Sequence, residues 1–152
     1  MITIRKAARE DAQILTDIKN CALDRELRKY LGRGGRPVGY DDASAELMLM
    51  REYDVREILL DEKIIGGFFM QWVSGTVVEI EDFAIAPEYQ GQGYGFRVLK
   101  LIEDMYPDVY EWRLSALSIS VGNQHLYEKA GYVVVGRDDV EVRYCKKKGI
   151  SC

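Results

Sequence analysis

The start of the chain, "ITIRK" at residues 2–6, alternates apolar and polar residues, a pattern typical of a strand that buries one face. Three further strand-like runs follow at 55–62, 64–73 and 76–86, separated by the short turns "EK" and "SG". Connections this short join only antiparallel neighbours, so these runs predict three strands paired antiparallel in chain order.

Other segments place apolar residues at helical spacing. A first helix is predicted after Asp11, which is a plausible N-cap, and a second at about 43–52. The predicted buried face of the first helix consists of Ile14, Leu15, Ile18, Cys21 and Ala22. A third helix follows residue 95, with its apolar face at Val98, Leu99, Ile102, Met105 and Tyr106.

The remainder of the chain reads as a strand near 112–119, a short helix near 123–130 and two final strands. Gly131 lies where a left-handed helix C-cap belongs. The order is then β-α-α-β-β-β-α-β-α-β-β, which predicts an α+β fold: a mixed sheet of about seven strands with helices on its faces. Since no repeat, linker or low-complexity tract interrupts residues 1–152, we expect a single domain.

The stretch "PEYQGQGYG", residues 87–95, is unusually rich in glycine and lies directly before the third helix. A helix start leaves backbone N–H groups without partners, and these groups attract anions. Glycine lets phosphate oxygens approach the backbone, and Gln90 adds a side-chain amide at the mouth. The GxGxxG fingerprint and the GxxxxGK[ST] loop are both absent. A tight turn without a ligand is the alternative.

Composition narrows the classes of partner. A net charge of −4 and a pI near 5.1 argue against non-specific binding to nucleic acid or an anionic membrane, and slightly favour an amine substrate. Three cysteines and one histidine have no metal-ligand spacing, so neither a metal site nor a disulfide framework is expected. The sequence has no signal-peptide core and no long apolar run, which predicts a cytoplasmic protein without a membrane partner.

Two motifs together resemble the GNAT superfamily of acyl-CoA-dependent N-acetyltransferases. "FAIAPEYQGQGYG" contains the family's cofactor signature Q/R-x-x-G-x-G/A, and "NQHLYEKAGY" contains the later signature L-Y-x-K-x-G-F/Y. The predicted strand order is also that of the family, so the resemblance covers nearly the whole chain.

The resemblance implies acetyl-CoA as the cofactor and a sheet, mostly antiparallel, that splays between its fourth and fifth strands. The pantetheine arm would lie in the gap and pair with backbone groups of Phe83, Ala84 and Ile85. Either Ser120, at the usual family spacing, or Asn123 would contact the cofactor; alternatively, Asn123 is only a helix N-cap. The loop that would hold the pyrophosphate consists of Gln90, Gly91, Gln92, Gly93, Tyr94 and Gly95.

Acetyl transfer to an amine needs a base for the ammonium and an acid for the departing thiolate. The family position of the acid falls on Tyr127, which also contacts the cofactor; a core tyrosine is the alternative. Glu79 and Glu81 point to one face of a strand, and Glu79 matches a base position of some family members. A solvated carboxylate pair, or His125 as the base, are alternatives.

The sequence gives less information about the acceptor amine. The resemblance places the acceptor pocket at the loop 31–42, which also contains Tyr40. Asp41 and Asp42 would hold a cationic acceptor, or Arg33 and Arg36 would hold a carboxylate; a solvated loop is the alternative. We expect direct transfer to a primary amine of a small molecule or a peptide, with a small molecule favoured over a protein. The sequence leaves both a monomer and a homodimer open. A non-catalytic acyl-CoA sensor and an interaction domain are the rival functions.

Overall fold

The structure, a computed structural model, describes residues 1–32 and 42–149. The predicted order of elements is confirmed across these residues. The helices are α1 (Ala12–Leu31), α2 (Ser44–Glu52), α3 (Tyr94–Met105) and α4 (Val121–Lys129). The strands are β1 (Ile2–Lys6), β2 (Asp54–Leu60), β3 (Lys63–Trp72), β4 (Val77–Ile85), β5 (Glu111–Leu117), β6 (Val133–Arg137) and β7 (Glu141–Lys147).

The seven strands form one mixed sheet in the order β1-β2-β3-β4-β5-β7-β6, which confirms the predicted fold class. β2 pairs antiparallel with both β1 and β3, and β7 pairs antiparallel with both β5 and β6. β4 and β5 run parallel, and their ladder contains three residue pairs, from Val77–Glu111 to Glu79–Arg113. A parallel pair needs a crossover, which here contains α3.

The residues group into two compact units. The first comprises Met1–Met70 and Asp82–Tyr94; the second comprises Gln71–Glu81 and the chain from Gly95 onward. The single domain expected over residues 1–152 stays a prediction. Among the described residues, the structure has no helix with the length and apolar character needed to cross a bilayer.

In the first unit, α1 buries only part of the face predicted for it. Leu15 and Ala22 are buried, but Ile14 is 45% exposed and Cys21 is exposed, while the polar Thr16 and Asn20 are buried. The Thr16 hydroxyl donates a hydrogen bond to the Ala12 carbonyl at 2.8 Å, and this satisfied bond makes its burial tolerable. Asp11 occupies the predicted N-cap position without a side-chain capping bond.

In the second unit, the α3 face largely matches the prediction. Val98, Leu99 and Ile102 are fully buried, whereas Met105 is 37% exposed at the end of the helix. Gly131 has φ of +96° directly after α4, which confirms the predicted left-handed conformation. This region therefore has a conventional helix-on-sheet core.

Candidate functional site

The glycine-rich loop of the first unit is built from left-handed glycines. Pro87–Tyr89 forms one turn of 3-10 helix, and Gly91 and Gly93 follow with φ of +75° and +85°. A Cβ at either glycine would meet no atom of the described protein within 4 Å. The backbone at these two glycines thus carries no side chain, just before the chain enters α3. The first N–H groups of α3 have no carbonyl partner within the helix.

Side chains fasten this loop to its surroundings in the same unit. The Gln90 amide donates to the Ile85 carbonyl at 2.8 Å, and the Gln92 amide donates to the Glu88 carbonyl at 3.0 Å. Arg25, from α1, donates to the Pro87 carbonyl at 2.7 Å. The Gln90 amide was expected at the mouth of the loop; it instead ties the loop to the end of β4.

Gly95 differs from the other two glycines. It lies in α3, in the second unit, and a Cβ there would come within 2.9 Å of Leu126 Cδ2 on α4. The third glycine of the first signature therefore makes room for the leucine that opens the second signature. Within the second unit, the last residue of the first signature thus packs against the first residue of the second.

The strand segment Phe83–Ile85 ends β4 and belongs to the first unit. The Phe83 ring lies 6.2 Å from the Phe68 ring, and Ile85 is buried. A Cβ on Gly66 of β3 would collide with the Ala84 carbonyl oxygen, so β3 and β4 approach closely only because residue 66 is glycine. The pairing of this segment with a pantetheine arm stays a prediction.

The two β4 carboxylates lie in the second unit, on the face predicted for them. Val78 and Ile80, which alternate with them in sequence, are buried, and both Glu79 and Glu81 are half-buried. Glu79 Oε1 lies 3.9 Å from Nη1 of Arg113, its partner across the parallel ladder. Arg113 also bonds Glu111, and this hydrogen bond, more than Glu79, raises the pKa of its guanidinium.

Tyr127 lies on α4 in a cluster of tyrosines. Its side chain is 2% exposed, and its ring packs edge-on against Tyr144 at 5.7 Å and tilted against Tyr132 at 6.3 Å. The Tyr144 hydroxyl donates to Glu128 at 3.0 Å, and burial followed by this bond raises the pKa of Tyr144 to about 12. The Tyr132 hydroxyl is buried and has no hydrogen-bond partner among residues 1–32 and 42–149. Burial raises the Tyr132 pKa well above its ordinary value.

The residue at which α4 begins tests the interpretation of Asn123 as a helix N-cap. The helix begins at Val121 with Ser120 at the N-cap position, so the interpretation of Asn123 as an N-cap is wrong. Ser120 is buried and Asn123 is half-buried, and contact of either residue with a cofactor stays a prediction. His125 is exposed on α4.

The predicted acceptor residues Arg33, Arg36, Tyr40 and Asp41 lie outside the described residues. Asp42 is described, and its carboxylate accepts a hydrogen bond from the Ser44 backbone N–H at 2.9 Å, at the start of α2. Hydrogen bonds from Ser44 hold the pKa of Asp42 below its ordinary value. The structure thus gives Asp42 a helix-capping contact rather than a free carboxylate.

A sequence model of the Acetyltransferase (GNAT) family matches residues 27–132. The chain belongs to the GNAT acetyltransferase family. The match contains the glycine loop and the second signature through Tyr132, the two motifs that the structure joins at Gly95 and Leu126.

The chain also resembles one curated protein in sequence and several solved proteins in fold. The chain is 35% identical over 83 residues to the uncharacterized protein YrkN of Bacillus subtilis (strain 168). The aligned part covers 53% of this chain and 45% of YrkN, so the chain matches less than half the length of YrkN. The PaiA N-acetyltransferase of Thermoplasma acidophilum, solved in complex with coenzyme A, aligns with a TM-score of 0.76 at 20% identity, covering 97% of this chain and 99% of that one. Spermidine N-acetyltransferase of Vibrio cholerae, solved with CoA and spermine, aligns with a TM-score of 0.72 at 18% identity, covering 96% and 95%.

Sequence reasoning missed several polar residues beside the predicted ones. Arg113 faces Glu79 through a parallel register that no local pattern encodes, and Arg25 reaches the loop from α1. Lys19 bonds Asp82 at the centre of β4, 2.8 Å between Nζ and Oδ2. None of these contacts had a sequence signal, since each joins elements distant in the chain.

Proposed function

We propose that this GNAT protein binds acetyl-CoA and transfers the acetyl group directly to a primary amine of a small molecule. The observation that carries the proposal is the geometry of the glycine loop: Gly91 and Gly93 are left-handed, open above their Cα atoms, and lead into α3. Backbone N–H groups in such a loop suit a pyrophosphate, because glycine lets oxygens approach and the helix dipole favours negative charge.

Other residues of the chain would complete the site. Backbone groups of Phe83, Ala84 and Ile85 suit the amides of a pantetheine arm, as in strand addition. Gln90 acts indirectly in this scheme, because its amide ties the loop to the Ile85 carbonyl and so fixes the loop relative to that strand end. Acetyl-CoA supplies the activated thioester.

The chain then has to move two protons. Glu79, directly or through a water, accepts a proton from the substrate ammonium, whose pKa is about 10.4 for a lysine-like amine. The neutral nitrogen attacks the thioester carbonyl and forms the new N–C bond, and Tyr127 gives its hydroxyl proton to the thiolate as the C–S bond breaks. The second proton of the acylated nitrogen is lost to solvent, and the Tyr127 phenolate regains a proton from solvent. No acyl-enzyme is required, so both substrates are bound together.

Charge and similarity support a small cationic acceptor. The net charge of −4 favours an approaching amine over an anion. A structurally similar GNAT protein is a spermidine N-acetyltransferase that was solved with spermine. We therefore propose a small amine rather than a protein lysine as the acceptor.

The first test is thermal unfolding with saturating acetyl-CoA, beside CoA, ATP and NAD. Ligand at about 100 times its dissociation constant adds about 2.7 kcal/mol, which raises the melting temperature by several degrees. We expect a rise with acetyl-CoA and CoA alone, followed by release of free thiol when an amine acceptor is added. If neither acetyl-CoA nor CoA raises the melting temperature, the glycine loop is only a turn and the proposal is refuted.

A non-catalytic acyl-CoA-binding module is the second candidate, and one observation favours it. The side chain of Tyr127 is only 2% exposed, whereas a proton donor must reach the thiolate. This candidate predicts stabilisation by acetyl-CoA but no thiol release with any amine of a broad panel.

The carboxylate on β4 is tested by its pH profile. We expect Glu79→Gln to lower kcat/KM at neutral pH by about 10²-fold, the lower end for general base catalysis. Its activity should recover toward pH 10, where the free amine needs no base. Glu111→Gln, which removes the other carboxylate beside Arg113, is the control and should keep the wild-type profile. A loss of activity in Glu81→Gln alone would assign the role of base to Glu81. Unchanged activity in both Glu79→Gln and Glu81→Gln would mean that neither of these β4 carboxylates is the base.

A further inference from the structure

Asp82 has an unusual backbone conformation inside a strand. Its φ is +60°, and among the described non-glycine residues only Asp61, at +55°, is also positive. Asp61 lies in the turn between β2 and β3, where such values are common. Asp82 lies within β4, directly before Phe83–Ile85. A left-handed residue there needs surrounding contacts that hold it.

Lys19 supplies these contacts. Its ammonium lies 2.8 Å from Asp82 Oδ2, and 2.9 and 3.0 Å from the two carboxylate oxygens of Glu46. The Lys19 and Glu46 side chains are 10% and 4% exposed, whereas that of Asp82 is 44% exposed. Three contacts match the three donors of an ammonium, so Lys19 links α1, α2 and the centre of β4.

Two adjacent glycines of β3 make room for this arrangement. A Cβ on Gly67 would lie 2.9 Å from Leu15 Cδ2 and 3.8 Å from Lys19 Cε, so glycine lets α1 lie close enough for Lys19 to reach β4. A Cβ on Gly66 would collide with the Ala84 carbonyl oxygen. The same pair of glycines therefore admits both the lysine and the strand segment that follows Asp82.

We infer that the Lys19–Glu46–Asp82 ion cluster positions the backbone of Phe83–Ile85 for the secondary amides of the acyl donor. This inference rests on the proposed function, which assigns that backbone to the donor. Lys19 and Asp82 are positioning residues: they act through the conformation of residue 82. Loss of the link should loosen the strand segment in the free protein and weaken donor binding, because the segment must then be ordered at binding.

Asp82→Gly separates the ion pair from backbone strain. Glycine accepts positive φ without steric strain, so this variant removes the carboxylate and adds only the backbone freedom of glycine, while Lys19 and Glu46 remain a buried ion pair with no net charge. Asp61→Gly is the matched control, because Asp61 is also left-handed and its carboxylate pairs with the exposed N-terminal ammonium at 2.8 Å. Asp82→Asn, which keeps an acceptor oxygen, should be intermediate.

The readouts are calorimetric acetyl-CoA affinity and hydrogen exchange of the Phe83–Ile85 amides in the ligand-free full-length protein. We expect Asp82→Gly to weaken acetyl-CoA binding about tenfold and to speed exchange at these amides, since preorganisation is lost. Asp61→Gly should match the wild type in both. Affinity within twofold of wild type, or unchanged exchange, in Asp82→Gly would overturn the inference. A wild-type protein that does not bind acetyl-CoA would refute the proposed function instead, and exchange in the free protein would still decide whether the cluster holds the strand.

Discussion

Tyr127→Phe should lower kcat by about 10²-fold while leaving the dissociation constant of acetyl-CoA nearly unchanged. Loss of a general acid costs about 10²–10⁴ in rate, and the lower end applies because a thiolate with a pKa of about 8.5 leaves readily. Phenylalanine keeps the ring contacts with Tyr132 and Tyr144, so the fold and the binding surface should persist. Steady-state turnover and calorimetric binding of acetyl-CoA measure the two quantities.

Tyr132→Phe is a matched control in the same cluster. Its hydroxyl is buried without a hydrogen-bond partner among the described residues, so its removal should leave turnover unchanged and stability equal or slightly higher. Equal turnover of Tyr127→Phe and wild type would contradict the acid role of Tyr127, whereas no turnover in either protein with any amine would favour the non-catalytic module. Equal losses in both variants would indicate a packing effect of the cluster.

The order of elements was predictable because each has a strong local signal. The alternation of β1 and most of the apolar face of α3 appear in the structure. The face predicted for α1 was wrong at Ile14 and Cys21, which are exposed, because periodicity treats every polar residue as exposed. Thr16 is buried with its hydroxyl bonded to the Ala12 carbonyl, so a polar side chain occupies a core position that the pattern assigned to apolar residues.

The candidate site was predictable only where backbone conformation imposes a residue type. Gly91 and Gly93 have positive φ, and glycine is the residue that adopts it without strain. The separate function of Gly95, against Leu126, depends on helix packing. The link from Lys19 to Asp82 depends on how α1 lies over β3, where Gly67 admits it. Contacts between distant elements follow from the assembled fold, and no single segment encodes them.

Gly93→Ala should lose acetyl-CoA affinity, by about tenfold or more, beyond any loss of stability. The residue has φ of +85°, and an alanine Cβ there would meet no described protein atom, so the stability cost is backbone strain of about 1–2 kcal/mol. The added methyl group stands in the open space over the loop, and relaxation of φ turns the neighbouring N–H groups away from a bound oxygen. Urea unfolding and calorimetric titration with acetyl-CoA measure the two effects separately.

Gly149→Ala is the control for strain, because Gly149 also has positive φ, +73°, a Cβ there would meet no described atom within 4 Å, and the residue has no part in the loop. It should lose similar stability and keep its acetyl-CoA affinity. Gly95→Ala should act mainly on stability, since its Cβ forces Leu126 to shift. If Gly93→Ala and Gly149→Ala lose equal stability and neither loses affinity, the left-handed glycines of the loop serve only the turn from β4 into α3. A loss of affinity confined to Gly93→Ala would mean that the open space above the loop is where the acyl donor binds.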